Sequence, residues 1–172
     1  MIKIIGIVGW KNVGKTYFAT EIIKLLVSKG YKVGSIKRAH HDFDIDQTGT
    51  DSFKHREAGS KQVIISSSKR WAKIFENNNK NEKNLKELIE EFQDVDIVVV
   101  EGFKKENHLK IEIIGKNSQS INKEINNVIA IVSDEQYDTS IPVFKKNDIK
   151  NLVEFIIKKL IWTKNHFIWN KF

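Results

Sequence analysis

The chain has 172 residues, a formal net charge of +7 and no cysteine, so disulfides and cysteine-ligated metal centres are excluded. Its positive charge is nearly all lysine, because arginine occurs only at Arg38, Arg56 and Arg70. Specific nucleic-acid readers rely on arginine forks, and we therefore expect no nucleic-acid partner. We recognise no leader segment and no apolar run near the roughly twenty residues of a membrane span, so we expect a cytoplasmic protein.

A phosphate-binding loop follows the first predicted strand. Residues 2–8 form an apolar run with β-branched side chains, which predicts a buried strand. Residues 9–16 read Gly-Trp-Lys-Asn-Val-Gly-Lys-Thr and fit the P-loop pattern G-x-x-x-x-G-K-[ST]. Apolar residues then recur at helical spacing as far as Gly30, which predicts a helix that begins near Lys15. The glycines thus lie between a strand and a helix, as phosphate binding requires.

This loop predicts a binding site for a nucleoside triphosphate with Mg²⁺. Its backbone N–H groups converge on phosphate oxygens, and the start of the helix adds the positive end of its dipole. Lys15 would reach the β- and γ-phosphates, and the Thr16 hydroxyl would bind Mg²⁺. The predicted nucleotide-binding residues of the loop are Gly9, Lys11, Asn12, Val13, Gly14, Lys15, Thr16 and Tyr17.

The second predicted strand spans residues 31–37, and several histidines and aspartates lie in the segment directly after it. Residues 38–46 read Arg-Ala-His-His-Asp-Phe-Asp-Ile-Asp, and open α/β sheets bind ligands at the carboxyl ends of their strands. Three interpretations are open: a carboxylate for the Mg²⁺ shell, a His/Asp site for a transition metal, or a solvated loop without chemistry. The position favours the first, with Asp42 as the predicted metal ligand.

The sequence of the middle of the chain predicts short helices and strands joined by polar segments. Residues 50–58 predict a polar helix, residues 61–67 a short strand, and residues 84–92 a helix with an Asn/Glu capping pair. Between the last two, Arg70 and Trp71 could bind phosphate and stack on a flat heterocycle. They fit equally well a sheet edge with a half-buried Trp71 and an exposed Arg70.

A second strong signal is the strand at residues 96–100, which is followed by Glu101. Its four consecutive apolar residues predict a strand buried on both faces, typical of a parallel sheet. A carboxylate at the end of such a strand corresponds to the Walker-B acid of a P-loop protein, which orients Mg²⁺ or its waters. Because an unpaired carboxylate is costly to bury, a cation should face it. We predict Glu101 as a metal ligand and, together with Lys15, as a catalytic residue.

The second half of the chain supplies further strands. Residues 109–114, 128–132 and 142–144 predict strands, and residues 148–160 carry a helical apolar stripe. Asp134 follows the second of these strands, at an edge where ligands are expected. Its carboxylate could accept hydrogen bonds from the N1 and N2 groups of guanine, a donor pair that adenine lacks.

Together these elements predict an α/β fold, a P-loop NTPase three-layer sandwich with a mostly parallel central sheet. The length predicts one nucleotide-binding domain, which we assign to residues 1–161. Residues 162–172 form a basic aromatic tail, which could cap the core, form a subunit contact or be disordered.

Four blocks of this sequence, in this order, resemble the MobB family. The resemblance spans roughly residues 1–160 and is carried by residues 9–16, 36–46, 51–59 and 100–104. The chain departs from the family pattern where Tyr17 replaces the more usual Thr or Ser, and where Arg38 and Ala39 replace His-Thr. The segment around Asn77 has no counterpart in the family pattern.

The resemblance implies a P-loop protein that binds GTP with Mg²⁺ and hydrolyses it weakly, usually as a homodimer. The family belongs to molybdenum cofactor biosynthesis, in which it assists the nucleotidyltransferase MobA in attaching GMP to molybdopterin. The resemblance therefore predicts an accessory protein and not the transferase, with GTP, a MobA-type nucleotidyltransferase and molybdopterin as partners.

Two other functions remain open from the sequence. A small-molecule kinase could use the same scaffold, but it would need an arginine-bearing lid over the phosphates, and arginines are scarce here. A pure binding module would bind GTP tightly with negligible turnover, and Lys15→Ala would abolish partner binding along with nucleotide binding.

Overall fold

The computed structural model describes residues 2–39, 43–77 and 82–162. The predicted metal ligand Asp42 lies outside these residues, as does the tail from residue 163 onward. The helices and strands of the described residues are, in chain order, β1 (Lys3–Val8), α1 (Lys15–Ser28), β2 (Val33–Lys37), α2 (Asp51–Glu57), β3 (Gln62–Ser66), β4 (Trp71–Phe75), α3 (Leu85–Ile89), β5 (Ile97–Glu101), β6 (Leu109–Ile113), β7 (Val128–Val132), β8 (Val143–Phe144) and α4 (Ile149–Trp162).

Six of these strands form one parallel sheet in the order β2-β5-β1-β6-β7-β8. β1 lies inside the sheet, between β5 on one side and β6 on the other. The chain leaves β1 for β2 on the first side and later returns to β6 on the second. The carboxyl end of β1 is therefore the switch point of the sheet, where α/β folds bind their ligands.

The sheet is covered by helices on both faces, because strands such as β5 carry apolar side chains on both faces. The side chains of β5 alternate between the faces, so Ile97 and Val99 enter one apolar cluster while Val98 and Val100 enter another. The first cluster is completed by α1 and α4, and the second by the helical residue Leu85 of α3. The result is a helix–sheet–helix arrangement, which confirms the predicted α/β fold with a mostly parallel central sheet.

Two charged side chains are fully buried in β6. The Glu112 carboxylate accepts the backbone N–H of Ile121 at 2.6 Å and the hydroxyl of Ser120 at 2.8 Å. The Lys110 ammonium donates to the backbone carbonyls of Glu106, His108 and Asn126. Burial lowers the pKa of Lys110 to about 8. Because buried polar groups are costly without partners, these bonds fix the segments before and after β6 against that strand.

The chain divides into two compact units, residues 1–38 with 85–172 and residues 39–84. The first unit contains the six-stranded sheet. The predicted domain over residues 1–161 therefore includes all of the second unit and most of the first. Among the described residues, none of the helices combines the length and apolar character that a membrane crossing requires.

The second unit is built from α2 and the antiparallel pair β3–β4. Arg56 of α2 forms ion pairs with three carboxylates of this unit. One guanidinium nitrogen lies 3.0 Å from Asp44 and 3.0 Å from Asp46, and another lies 2.7 Å from Glu76. Two of the three aspartates in the predicted His/Asp cluster thus pair with an arginine. Trp71 begins β4, and at 69% exposure it is not the half-buried side chain that one interpretation predicted.

Candidate functional site

The phosphate loop, residues 9–14, connects β1 to α1 at the switch point of the sheet. Helix α1 begins at Lys15, directly after Gly14, without a side-chain cap and without an acidic residue in its first turn. The N–H groups of a first turn have no acceptor within their own helix. This helix start therefore has the donors and the dipole direction to bind an anion, which fits a phosphate group.

The loop packs closely against the end of β6. Gly9 has φ +146°, and a Cβ atom at this position would lie 2.3 Å from the carbonyl oxygen of Ile113. Val13 approaches Gly115 just past β6, where an added Cβ atom would lie 3.0 Å from the valine side chain. The loop is thus fixed on one side by backbone that leaves no room for a larger residue at Gly9.

Trp10 joins the phosphate loop to a distant part of the chain. Its indole Nε1 donates to the carbonyl oxygen of Gln119 at 2.8 Å, although the two residues are 109 positions apart. Trp10 is 44% exposed. The sequence did not predict this contact. Its only signal is an aromatic residue inside the loop pattern, which does not indicate a partner.

Lys15 lies across its own loop. Its Nζ donates to the carbonyl oxygen of Trp10 at 2.6 Å. Burial lowers the pKa of Lys15, and this effect is opposed by the Glu101 carboxylate and reinforced by the positive charges of Lys104 and Lys37. The ammonium therefore lies where other cations already concentrate positive charge, which favours a polyanionic ligand.

Thr16 and Glu101, which the sequence predicts as metal ligands, are brought together. Glu101 ends β5 in register with Ile7 of β1, so its carboxylate lies beside the phosphate loop. The Thr16 hydroxyl is 2.9 Å from one carboxylate oxygen and 3.0 Å from the other, and it donates to the pair. Hydroxyl and carboxylate oxygens are the ligands that Mg²⁺ prefers, alongside phosphate and water. The two residues thus fit the magnesium site that the sequence predicts.

Asp134, the predicted base-binding residue, follows β7 and faces the segment after β8. Its carboxylate accepts the backbone N–H of Lys146 at 3.2 Å and lies 3.6 Å from the ammonium of the same residue. The Lys145 ammonium donates to the Asp134 carbonyl oxygen at 2.9 Å. The carboxylate is nevertheless largely exposed, and its contact with a base stays a prediction.

The other predicted nucleotide-binding residues lie around the same loop. Lys11 and Asn12 are exposed, and Asn12 adopts a left-handed backbone with φ +63°. Tyr17 is exposed on the first turn of α1, with its ring edge-on to Phe18. Their contacts with a nucleotide stay predictions. Within the described part of the chain, no group of three His, Asp or Glu side chains is arranged to hold a metal ion on its own.

Comparison with known proteins gives one family. The family model MobB, described as molybdopterin guanine dinucleotide synthesis protein B, matches residues 4–134. The chain is 32% identical over 163 residues to the molybdopterin-guanine dinucleotide biosynthesis adapter protein of Escherichia coli (strain K12), across 92% of this chain and 93% of that protein. The protein of the same name from Haemophilus influenzae is also 32% identical, over 158 residues, 90% of this chain and 88% of that protein.

Solved structures show the same fold. The crystal structure of Bacillus subtilis MobB matches with a TM-score of 0.73 at 23% identity, and that of a MobB protein homolog from Bacillus stearothermophilus with 0.72 at 18%. Each comparison covers 92% of this chain and 98% of the other chain.

Proposed function

This chain belongs to the MobB family of molybdopterin guanine dinucleotide synthesis proteins, and from that membership we propose that it is an adapter protein of this biosynthesis and that it acts in the cytoplasm. In the proposal it binds GTP with Mg²⁺ and assists the step that joins GMP to molybdopterin. Its partners are a second copy of itself and a MobA-type nucleotidyltransferase, which acts on molybdopterin.

The observation that carries the nucleotide site is the contact between Thr16 and Glu101, next to Lys15. The hydroxyl and the carboxylate lie within hydrogen-bond distance at the start of α1, which supports a shared Mg²⁺ site. When bound, Mg²⁺ would neutralise charge on the β- and γ-phosphates. Lys15 would exchange its bond to the Trp10 carbonyl for phosphate oxygens, and the N–H groups at the start of α1 would bind the β-phosphate.

The same arrangement supports slow hydrolysis at most. Glu101 can orient a water molecule or the cation, but its carboxylate is already engaged by Thr16. Guanine preference would come from Asp134, whose exposed carboxylate can accept from two adjacent guanine donors. In this proposal the site mainly binds GTP and hydrolyses it slowly at most.

A kinase function finds no support. The relatives described above are named adapter proteins. Arg56, one of the few arginines available for a lid, already contacts three carboxylates in the second unit. A kinase lid needs arginines that are free to close over the phosphates.

Reconstitution tests the proposal directly. Purified chain is added to a MobA-type nucleotidyltransferase with molybdopterin, GTP and Mg²⁺, and the yield of the guanine dinucleotide is measured. We expect the wild-type chain to raise the rate or the yield and Lys15→Ala to lose that effect. Lys29→Ala, a lysine at the far end of α1, is the matched control and should act as wild type. No stimulation by the wild-type chain would contradict the adapter role.

A further inference from the structure

We propose that Lys104 binds the terminal phosphate of the bound nucleoside triphosphate, so that the site prefers a triphosphate over a diphosphate. The inference rests on the proposed nucleotide binding and adds a specificity-determining residue to it. It is carried by the position of Lys104, by the backbone that holds it there and by the charges around it.

Lys104 lies over the side chain of one residue of the phosphate loop, Trp10. Its Nζ is 5.0 Å from the ring centroid of Trp10, whose carbonyl oxygen accepts from Lys15. Two ammonium groups are thus held by opposite ends of a single loop residue. Such a cation–π contact is favourable in itself, and it also keeps the Lys104 ammonium beside the phosphate loop.

The turn that presents Lys104 is built with unusual backbone. Gly102 has φ +105°, and a Cβ atom there would lie 3.0 Å from the Cβ atom of Arg38. Phe103 has φ +50°, which is strained for a residue with a side chain. Strain of this kind persists only where the surroundings fix it and often marks a functional site.

The surroundings of Phe103 supply that fixation. Its ring is buried in the same apolar cluster as Val98 and Val100 of β5, and the guanidinium carbon of Arg38 lies 5.3 Å from the ring centroid. Because Phe103 is anchored two residues after Glu101, Lys104 is directed back towards Trp10 of the loop. Glu101 and Lys104 therefore reach the phosphate site from one turn.

The positive charges of the lysines around the loop favour an anion at this point. Lys104 and Lys37 both repel the Lys15 ammonium, whereas the Glu101 carboxylate attracts it. Lys104 is half-buried against the loop, whereas Lys37 is exposed at the end of β2. A triphosphate carries one phosphate more than a diphosphate, and a second cation beside Lys15 can discriminate between the two.

A purely structural role for Lys104 would be to brace Trp10. The variant Lys104→Met keeps an unbranched stem for packing on the indole and removes only the charge. The variant Lys104→Arg keeps the charge and the cation–π contact. Lys105→Met makes the same charge change at the exposed neighbouring residue and serves as control.

The test is calorimetric titration of each variant with a non-hydrolysable GTP analogue and with GDP, both in Mg²⁺. We expect Lys104→Met to lose about tenfold in affinity for the triphosphate, which is the size of one charge-assisted contact, and less than twofold for GDP. Lys104→Arg and Lys105→Met should keep the wild-type ratio of the two affinities.

Two results would overturn the inference alone: an unchanged triphosphate affinity in Lys104→Met, or an equal loss for both ligands, which would indicate bracing of Trp10. If the wild-type chain bound neither nucleotide, the proposed function would fail and the inference with it. The titration of the wild-type chain distinguishes these cases.

Discussion

The hydroxyl of Thr16 at the start of α1 donates to the carboxylate of Glu101 at the end of β5, at 2.9 and 3.0 Å from its two oxygens. The residues are 85 positions apart in the sequence, and the parallel pairing of β1 with β5 brings them together. This contact brings a residue of the P-loop pattern and the predicted Walker-B acid, which come from two separate motifs, into one site.

Glu101→Gln should weaken the Mg²⁺ dependence of nucleotide binding. The amide keeps the shape of the side chain and can still accept from Thr16, but it removes the negative charge that faces the cation. We expect GTP affinity in saturating Mg²⁺ to fall about tenfold and GTP affinity in EDTA to change little, as measured by titration calorimetry.

The matched control for this charge change is Glu90→Gln, an exposed residue just after α3. It should behave as wild type in both conditions. If Glu101→Gln lost as much affinity in EDTA as in Mg²⁺, the carboxylate would have no role at the cation.

Gly9→Ala should destabilise the chain strongly. The added Cβ atom would lie 2.3 Å from the Ile113 carbonyl oxygen, so either the loop or β6 must shift. Overlap with backbone together with the positive φ predicts a loss of about 2–4 kcal/mol in the free energy of unfolding. Urea denaturation followed by circular dichroism measures it.

Gly30→Ala is the control for the cost of placing alanine at a positive φ. Gly30 also has a positive φ, of +88°, but no atom lies within 4 Å of an added Cβ. Its loss should be about 1 kcal/mol. Equal losses for the two variants would show that the close approach to β6 carries no cost.

Acidification should destabilise the chain through His108. Its ring is buried against Gly6, and within the described residues neither ring nitrogen has a hydrogen-bond partner. Burial, with a smaller contribution from the Lys110 charge, lowers the pKa of His108 to about 4 from the usual 6.5. Between pH 6.5 and 4 the unfolded chain therefore binds a proton that the folded chain excludes, so stability falls as the pH falls.

The expected size of this loss is about 2–3 kcal/mol between pH 7.5 and 4.5. Urea denaturation at both pH values compares the wild-type chain with His108→Leu, which should lose less on acidification by that amount. His55→Leu, at an exposed histidine, should follow the wild-type chain. A His108→Leu variant as acid-sensitive as wild type would contradict the assigned pKa.

The parts of the fold that depend on local pattern could be predicted from the sequence. The strand, loop and helix around Gly14 follow from hydrophobic spacing and glycine placement, and α1 spans Lys15–Ser28 as that spacing indicates. The predicted strand at residues 128–132 has the bounds of β7. Glu101 was identifiable because an acid ending an apolar run has few other physical reasons to be there.

Contacts across long stretches of chain could not be predicted. Nothing near Trp10 indicates that its indole bonds to Gln119, because that contact depends on the path of the segment after β6. The alternation in β6 ordinarily indicates one solvated face, yet Lys110 and Glu112 are buried and bonded to that same segment. The pairing of Asp44 with Arg56 likewise depends on how α2 folds back on the preceding chain.

The most direct test of the central claim is calorimetric titration of the purified chain with GTP and ATP analogues in Mg²⁺, together with Lys15→Ala and the control Lys29→Ala. The account predicts that GTP binds at least about tenfold more tightly than ATP, that Lys15→Ala loses this binding and that Lys29→Ala keeps it. Equal affinities for the two nucleotides, or a preference for ATP, would contradict the assignment of a guanine nucleotide site.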